Sequence, residues 1–146
     1  MRKSVLVDTN VLLDAAMRER PDHAYALMLF DEAVYEGLDL RVCVSSYKDV
    51  YYVLTKYASE PEARAYVADL LRVTTPSPVD SACLEIAVTS NEPDFEDAVV
   101  RACAERDGVD AIISRDARAF GHSRVRRLTA REYLTLFCDV EETSLA

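Results

Sequence analysis

The sequence predicts a single α/β domain with three layers, an α/β/α arrangement in which a central, mostly parallel sheet lies between helices. Short aliphatic segments of the kind that form buried strands alternate along the chain with segments of helical periodicity. Such strands pair in parallel through right-handed crossovers, which place helices on both faces of the sheet. The 146 residues, 50% of them hydrophobic, are enough for one core. We therefore predict one domain over residues 1–138 and a short acidic tail over residues 139–146.

The N-terminal half shows clear starts and stops for its elements. Gly37 follows a run of apolar residues at helical spacing and is expected to end that helix. Ser46 and Asp49 are spaced like an N-cap and its partner three residues later, which predicts that a helix begins there. The predicted elements are strands at 4–7 and 38–46 and helices at 11–17, 22–35 and from 46 to about 58.

The C-terminal half is predicted in the same way. The segment "TTPSPVD", at 74–80, is interpreted as a proline-containing loop. Pro93 and Asp94 introduce a helix, and Thr129 with Glu132 forms a capping-box pattern at the start of another. The predicted elements are helices at 61–71, 81–88, 95–106 and 129–137, a buried strand at 109–114 and a weak strand at 124–128.

The net charge and the hydropathy of the sequence bear on whether the protein binds nucleic acid or enters a membrane. The net charge of −9 is unusual for a protein that binds nucleic acid, because phosphate contacts normally need a basic face. That objection weakens if many acids surround a bound cation, which would reverse the local sign of the charge. The apolar start is interrupted by Asp8, Asn10 and Asp14, so it is too short and too charged for a signal peptide or a membrane span. We expect a cytoplasmic protein that does not enter a membrane.

Carboxylates collect at one edge of the predicted sheet. In a parallel sheet, the residues that follow a strand and those that begin the helix leading into a strand lie at the carboxyl edge, where ligands bind. Some of these acids also have a simpler interpretation as helix caps, whereas an acid at the end of a buried strand is costly unless it is paired. The acids at this edge are Asp8, Asp49, Asp94, Asp97 and Asp116.

Carboxylates that converge without matching Lys or Arg raise one another's pKa, so the cluster needs a cation to stay charged. Ligands that offer only oxygen atoms select a hard ion, and Mg²⁺ or Mn²⁺ is the natural occupant. Asp94 and Asp97 are three residues apart and share a helix face, whereas Glu96 points elsewhere. We therefore expect Asp97 to be the central member of a metal site and Asp94 an accessory one.

Three segments resemble the signature segments of the PIN-domain ribonucleases, which include the VapC-type toxins of bacterial toxin–antitoxin pairs. They are "VLVDTNVLLD", "VSSYKDVYYVL" and "DFEDAVVRACAERDGVDAIISRDARAF", and the resemblance extends from about Val5 to Tyr133. It implies a PIN-like α/β/α fold and metal-dependent cleavage of RNA phosphodiesters, with metal ligands at Asp8, Asp97 and Asp116. The family's middle acid is usually Glu, and the matching catalytic position here is Asp49, which is one methylene shorter.

The same resemblance assigns supporting residues and partners. Thr9, Asn10 and Ser114 match small polar positions that hold the carboxylates or water in the family. Arg115 and Arg118 belong to an arginine-rich stretch and are candidate contacts to phosphate, although a solvated arginine face explains them equally well. An antitoxin protein and a second copy of the chain, in a homodimer, are the partners that the family implies.

Two other functions stay open on sequence. Asp8 after a hydrophobic strand, followed by "TNV", also fits an aspartyl-phosphate phosphatase, although Asn10 then stands where such enzymes have a second Asp. A PIN-like module that binds RNA or protein with weak or no catalysis would account for the charge of −9 and for Asp49.

Overall fold

The computed structural model describes residues 2–138, so the predicted tail at 139–146 lies outside the described residues. The sheet has five strands, all parallel, in the order β3-β2-β1-β4-β5. The predicted fold class is confirmed. The strands are β1 (Ser4–Val7), β2 (Asp39–Cys43), β3 (Thr75–Ser77), β4 (Ala111–Ile113) and β5 (Arg127–Leu128).

The helices lie close to the predicted ranges. Gly108, which has a positive φ of 64°, ends the helix before β4, and the capping box of Thr129 and Glu132 is present. The described helices are α1 (Thr9–Ala16), α2 (His23–Tyr35), α3 (Val44–Tyr57), α4 (Glu60–Val73), α5 (Ser81–Val88), α6 (Phe95–Asp107) and α7 (Ala130–Phe137).

The three layers follow from the alternation of side chains along the strands. On β1, Val5 and Val7 belong to the core formed with α1, α2, α3, α4 and α7. Leu6, between them, belongs to the opposite core, which α5 and α6 cover. Ile112 and Ile113 of β4 divide in the same way. Since β1 and β4 are buried on both faces, β1 is apolar from Val5 to Val7 and β4 is apolar throughout.

Two local predictions were wrong. The segment predicted as a loop at 74–80 contains β3, in which Pro76 pairs with Val42; a proline is tolerated there because β3 lies at the edge of the sheet. The helix predicted to begin after Ser46 begins at Val44, and its N-cap, Cys43, makes no side-chain cap hydrogen bond. Asp49 therefore lies in the second turn of α3 and is not a capping partner.

No helix within residues 2–138 combines the length and the apolar character that crossing a membrane requires.

Candidate active site

Asp8 follows β1 and caps α1. Its Oδ1 accepts a hydrogen bond of 2.8 Å from the Thr9 amide, and its side chain is almost completely buried. Burial raises the pKa of this carboxyl, while hydrogen bonds from Ser114 and Thr9 oppose the rise. The Thr9 hydroxyl donates to Ser46 Oγ at 3.0 Å, which links α1 to the first turn of α3. Asp8 is thus fixed at the carboxyl edge of the sheet.

Ser114 connects Asp8 with Asp116. The Ser114 side chain is fully buried, and its hydroxyl donates to Asp8 Oδ2 at 3.0 Å. The same oxygen accepts the Asp116 amide at 3.1 Å, and Asp116 Oδ1 accepts the Arg118 amide at 2.9 Å. One hydroxyl therefore sets the position of the turn after β4 relative to the end of β1.

Asp97 lies at the centre of the negative charge. The Asp94 carboxylate caps α6 by accepting the Asp97 amide at 3.1 Å, which places Asp97 in the first helical turn. Burial raises the pKa of Asp97 to about 7, with further contributions from the charges of Asp8, Asp94, Asp116 and, least, Glu92. These acids are near enough to Asp97 that each makes it harder to ionise.

A cavity of about 850 Å³ opens at this edge, between α1, α3 and α6. Four of the five acids predicted from the sequence line it, whereas Asp94 stays outside the lining as the cap of α6. Asn10, exposed at the start of α1, lines it too. The predicted acids in the lining are Asp8, Asp49, Asp97 and Asp116. Glu96, which was predicted to point away from Asp97, lines the same cavity, so that prediction was wrong.

The donor set fits a hard divalent cation in its chemistry. Every candidate ligand supplies carboxylate oxygen, which Mg²⁺ and Mn²⁺ prefer. Burial raises the pKa of Asp97 most, and the neighbouring carboxylates add to that rise. Within residues 2–138, no three acidic, histidine or cysteine side chains converge closely enough to form a ready-made ligand group. An ion there would have to draw the carboxylates together.

The family model of the PIN domain matches residues 4–118. The chain belongs to the PIN domain family. Ribonuclease VapC1 of Aquifex aeolicus (strain VF5) is 26% identical over 136 residues, which cover 90% of this chain and 93% of that protein.

Solved structures share the fold. PAE2754 from Pyrobaculum aerophilum matches with a TM-score of 0.67 at 16% identity, over 94% of this chain and 91% of that one. A toxin–antitoxin complex from Klebsiella pneumoniae matches with a TM-score of 0.62 at 18% identity, over 86% of this chain and 97% of that one. The resemblance to PIN domains inferred from the three sequence segments is confirmed.

The two candidate phosphate-binding arginines of this PIN domain differ in their surroundings. Arg115 Nε lies 2.8 Å from Asp14 Oδ2 and 4.0 Å from Asp22 Oδ2. Asp14 is buried in α1 and also pairs with Arg20 at 3.4 Å. The charge of Arg115 is therefore directed towards the buried Asp14. The Arg118 side chain is exposed beside Asp116, and no ion pair to it is present among residues 2–138.

Sequence reasoning missed Asp14 and Glu92 as parts of this edge. Glu92 is buried before α6; its Oε2 accepts the Phe120 amide at 2.9 Å, and its Oε1 lies 3.6 Å from Arg101 Nη1. It holds the turn around Phe120, which has a positive φ of 66°. The sequence signal was weak, since Asp14 looks like a polar residue of an amphipathic helix and Glu92 lies in a polar loop.

Proposed function

We propose that this PIN domain is a metal-dependent endoribonuclease that hydrolyses RNA phosphodiester bonds and acts as the toxin of a toxin–antitoxin pair. The carrying observation is the raised pKa of Asp97 in a cavity that Asp8, Asp49 and Asp116 also line. Uncompensated carboxylates at the carboxyl edge of a parallel sheet are suited to holding a cation against a phosphate. The name of the Aquifex relative, a ribonuclease, supports the same activity.

Asp8, Asp97 and Asp116 are proposed to hold Mg²⁺ or Mn²⁺, with Asp94 as an accessory ligand and Asp49 as a fourth catalytic acid. Such an ion, when bound, activates water as a nucleophile and stabilises charge on the leaving oxygen. Asp49 is exposed on α3 and shorter than the usual Glu, so its contact is proposed to run through water.

The remaining proposed roles belong to polar groups around these acids. Ser114 and the Thr9 amide keep Asp8 in place through the hydrogen bonds described above. Asn10 lines the cavity and is proposed to hold a carboxylate or water. Arg118 is the better phosphate contact of the two arginines, because Arg115 already faces the buried Asp14.

The proposed partners are an RNA substrate, an antitoxin protein and a second copy of the chain, and the proposed location is the cytoplasm. The antitoxin is supported by the similarity of fold to a toxin–antitoxin complex from Klebsiella pneumoniae. Light scattering of the purified chain tests the homodimer, which a monomer mass would exclude.

The function is tested with an end-labelled, mixed-sequence single-stranded RNA, incubated with Mn²⁺, Mg²⁺ or EDTA. The wild-type protein is compared with Asp97→Asn and with Glu62→Gln, which removes one exposed charge from the third position of α4, outside the cavity. We expect cleavage by the wild type and by Glu62→Gln only with metal, giving 5′-phosphate and 3′-hydroxyl ends, and none by Asp97→Asn.

Products that end in a 2′,3′-cyclic phosphate would exclude water as the nucleophile. Equal cleavage by Asp97→Asn, or cleavage in EDTA, would contradict the assignment of the site. RNA binding without cleavage of any RNA in a broad set would favour the PIN-like binding module instead.

A further inference from the structure

The turn that follows β4 is attached to helix α1 at two points. Ser114 donates a hydrogen bond of 3.0 Å to Asp8 Oδ2, at the N-cap of α1. The next residue, Arg115, places its Nε 2.8 Å from Oδ2 of Asp14, which lies further along the same helix. Asp116 comes directly after these two residues. The carboxylate of Asp116 is therefore carried by a segment that α1 holds twice.

The distance between the two points of attachment decides what they fix. Asp8 caps α1 and Asp14 lies near its C-terminal end, about 9 Å further along the helix axis. A single hydrogen bond would let the turn pivot about the Ser114 hydroxyl. A second contact this far from the first removes that rotation, so the direction of Asp116 relative to Asp8 is set as well as its position.

Asp14 is buried to a degree that is unusual for a carboxylate. Only 1% of its side chain is exposed, and Arg20 Nη1 lies 3.4 Å from its Oδ1. Burial raises the pKa of Asp14, and the charges of Arg115 and Arg20 oppose that rise. A buried ion pair adds little net stability over apolar residues of the same size, although removing one partner is costly. Its geometric effect is to keep the two charged groups in one arrangement.

The acids of the cavity need such support because they do not converge by themselves. In the described part of the chain, no three acidic, histidine or cysteine side chains form a ready-made ligand group. Asp116 lies on an exposed turn, and an ion that had to order a pivoting turn would lose binding free energy to that ordering. The contact of Arg115 with Asp14 leaves less of the turn for the ion to order.

We propose that Asp14 and Arg115 are positioning residues, which hold the Asp116 carboxylate at the cavity so that a divalent cation binds between Asp116 and Asp8. This inference rests on the proposed ribonuclease function. It adds to the proposed metal site two residues that act through Asp116 and do not touch the cation.

The positive charge of Arg115, taken by itself, has the opposite effect on a cation. Burial raises the pKa of Asp8, and the charge of Arg115 is among the effects that oppose the rise, so this charge acts on the acids of the cavity. A positive charge at this range repels a second cation. Removing it without any change in position would therefore strengthen cation binding, whereas loss of positioning would weaken it. The two effects of Arg115→Gln differ in sign.

The test is the binding of Mn²⁺ to the intact chain, measured by electron paramagnetic resonance, in which the free aqueous ion gives a sharp signal that is lost on binding. Arg115→Gln is expected to weaken Mn²⁺ binding roughly 10- to 100-fold. Arg115→Lys keeps a positive charge for Asp14 and should recover most of the affinity. Asp14→Asn should weaken binding like Arg115→Gln, and the double variant should bind no more weakly than the weaker single variant, because the two residues act as one unit.

Two controls separate positioning from charge and from stability. Arg118→Gln removes the same charge from the same turn, and within residues 2–138 no ion pair to Arg118 is present, so Mn²⁺ affinity should stay the same or rise. Leu70→Ala removes a buried side chain of α4, outside the cavity lining. It should lose stability in urea titrations while it keeps the Mn²⁺ affinity of the wild type. All variants are compared under conditions in which circular dichroism shows them folded.

Equal or tighter Mn²⁺ binding by Arg115→Gln would overturn the proposal, since only the charge would then matter. An equal loss of Mn²⁺ affinity in Leu70→Ala or in Arg118→Gln would overturn it too.

RNA cleavage by the same proteins separates this inference from the proposed function. Metal-dependent cleavage by the wild type, together with unchanged Mn²⁺ affinity of Arg115→Gln, leaves the ribonuclease and removes the positioning role. The expected loss of Mn²⁺ affinity in Arg115→Gln, with no RNA cut by the wild type, supports the positioning role and removes the ribonuclease.

Discussion

Asp97→Asn should stabilise the metal-free protein at neutral and alkaline pH, although the same change should abolish RNA cleavage. The pKa of Asp97 rises from 3.8 to about 7 in the folded protein. The folded state therefore holds a proton that the unfolded state releases, so this group makes stability fall as the pH rises from about 4 through about 7. An Asn at this position carries no such cost, because it does not ionise.

The magnitude follows from the size of the shift. About 3 pKa units at 1.36 kcal/mol each set an upper bound of about 4 kcal/mol for the cost of ionising Asp97 at pH 8. Since Asp97 is partly exposed, screening by solvent lowers the expected gain for Asp97→Asn to about 1–2 kcal/mol. For a chain of this size, that corresponds to a Tm higher by roughly 2–6 °C.

The assay is thermal unfolding followed by circular dichroism in EDTA, at pH 5 and at pH 8. The difference between Asp97→Asn and the wild type should be larger at pH 8 than at pH 5, because the wild-type carboxyl in the folded protein is mostly protonated at the lower pH. Mn²⁺ should raise the Tm of the wild type and should have a smaller effect on Asp97→Asn.

Glu62→Gln is the matched control, since it removes an exposed charge from the equivalent third position of α4, outside the cavity, and should shift Tm little at either pH. An unchanged or lower Tm of Asp97→Asn at pH 8 would show that neighbouring charge and burial do not strain this carboxylate, and the case for a cation at the cluster would lose its main support.

Two further changes test the framework around the acids. Arg115→Met should lower the free energy of unfolding by about 2–4 kcal/mol in urea titrations, because it leaves Asp14 buried with only Arg20 as an ion-pair partner. The control, Arg118→Met, should lower it by less than about 0.5 kcal/mol. Equal urea midpoints for the two variants would contradict the pairing of Arg115 with Asp14. Ser114→Ala should lower the free energy of unfolding by about 1–2 kcal/mol, since it removes the hydroxyl between Asp8 and Asp116. It should also raise the Mn²⁺ concentration needed for half-maximal cleavage roughly 10- to 100-fold. Ser81→Ala is the exposed control, and an unaltered Mn²⁺ requirement of Ser114→Ala would refute this role.

The strand and helix order was readable from the sequence where periodicity and length were unambiguous. The central strands are apolar from Val5 to Val7 in β1 and over Ala111–Ile113 in β4 because helices cover both faces, and that pattern is visible in "VLV" and "AII". β3 was not predicted because a strand of three residues that contains Pro76 shows no strand-like alternation in the sequence. It is a strand because it pairs in parallel with β2. The start of α3 was misplaced because "RVCVSS" continues the character of β2 beyond Cys43.

The acid cluster could be predicted because topology brings Asp8, Asp97 and Asp116 to the same edge whatever their side-chain contacts. Those contacts could not be predicted in detail. Arg115 looked like a free phosphate ligand, and only the fold shows that the buried Asp14 lies 2.8 Å from its Nε. Asp49 was expected in the first turn of its helix, an error that followed from the misplaced start of α3.

The hydrogen bond between Ser114 and Asp8 joins residues 106 positions apart, which has a consequence during translation. β1 leaves the ribosome first, yet its neighbour β4 and the turn that carries Asp116 are made only after most of the chain. A truncated or stalled product that stops before β4 therefore holds Asp8 without Asp116 or Ser114. On the proposed function, such a fragment cannot cut RNA. Ribonuclease activity is therefore present in the cell only when synthesis of the domain is nearly complete.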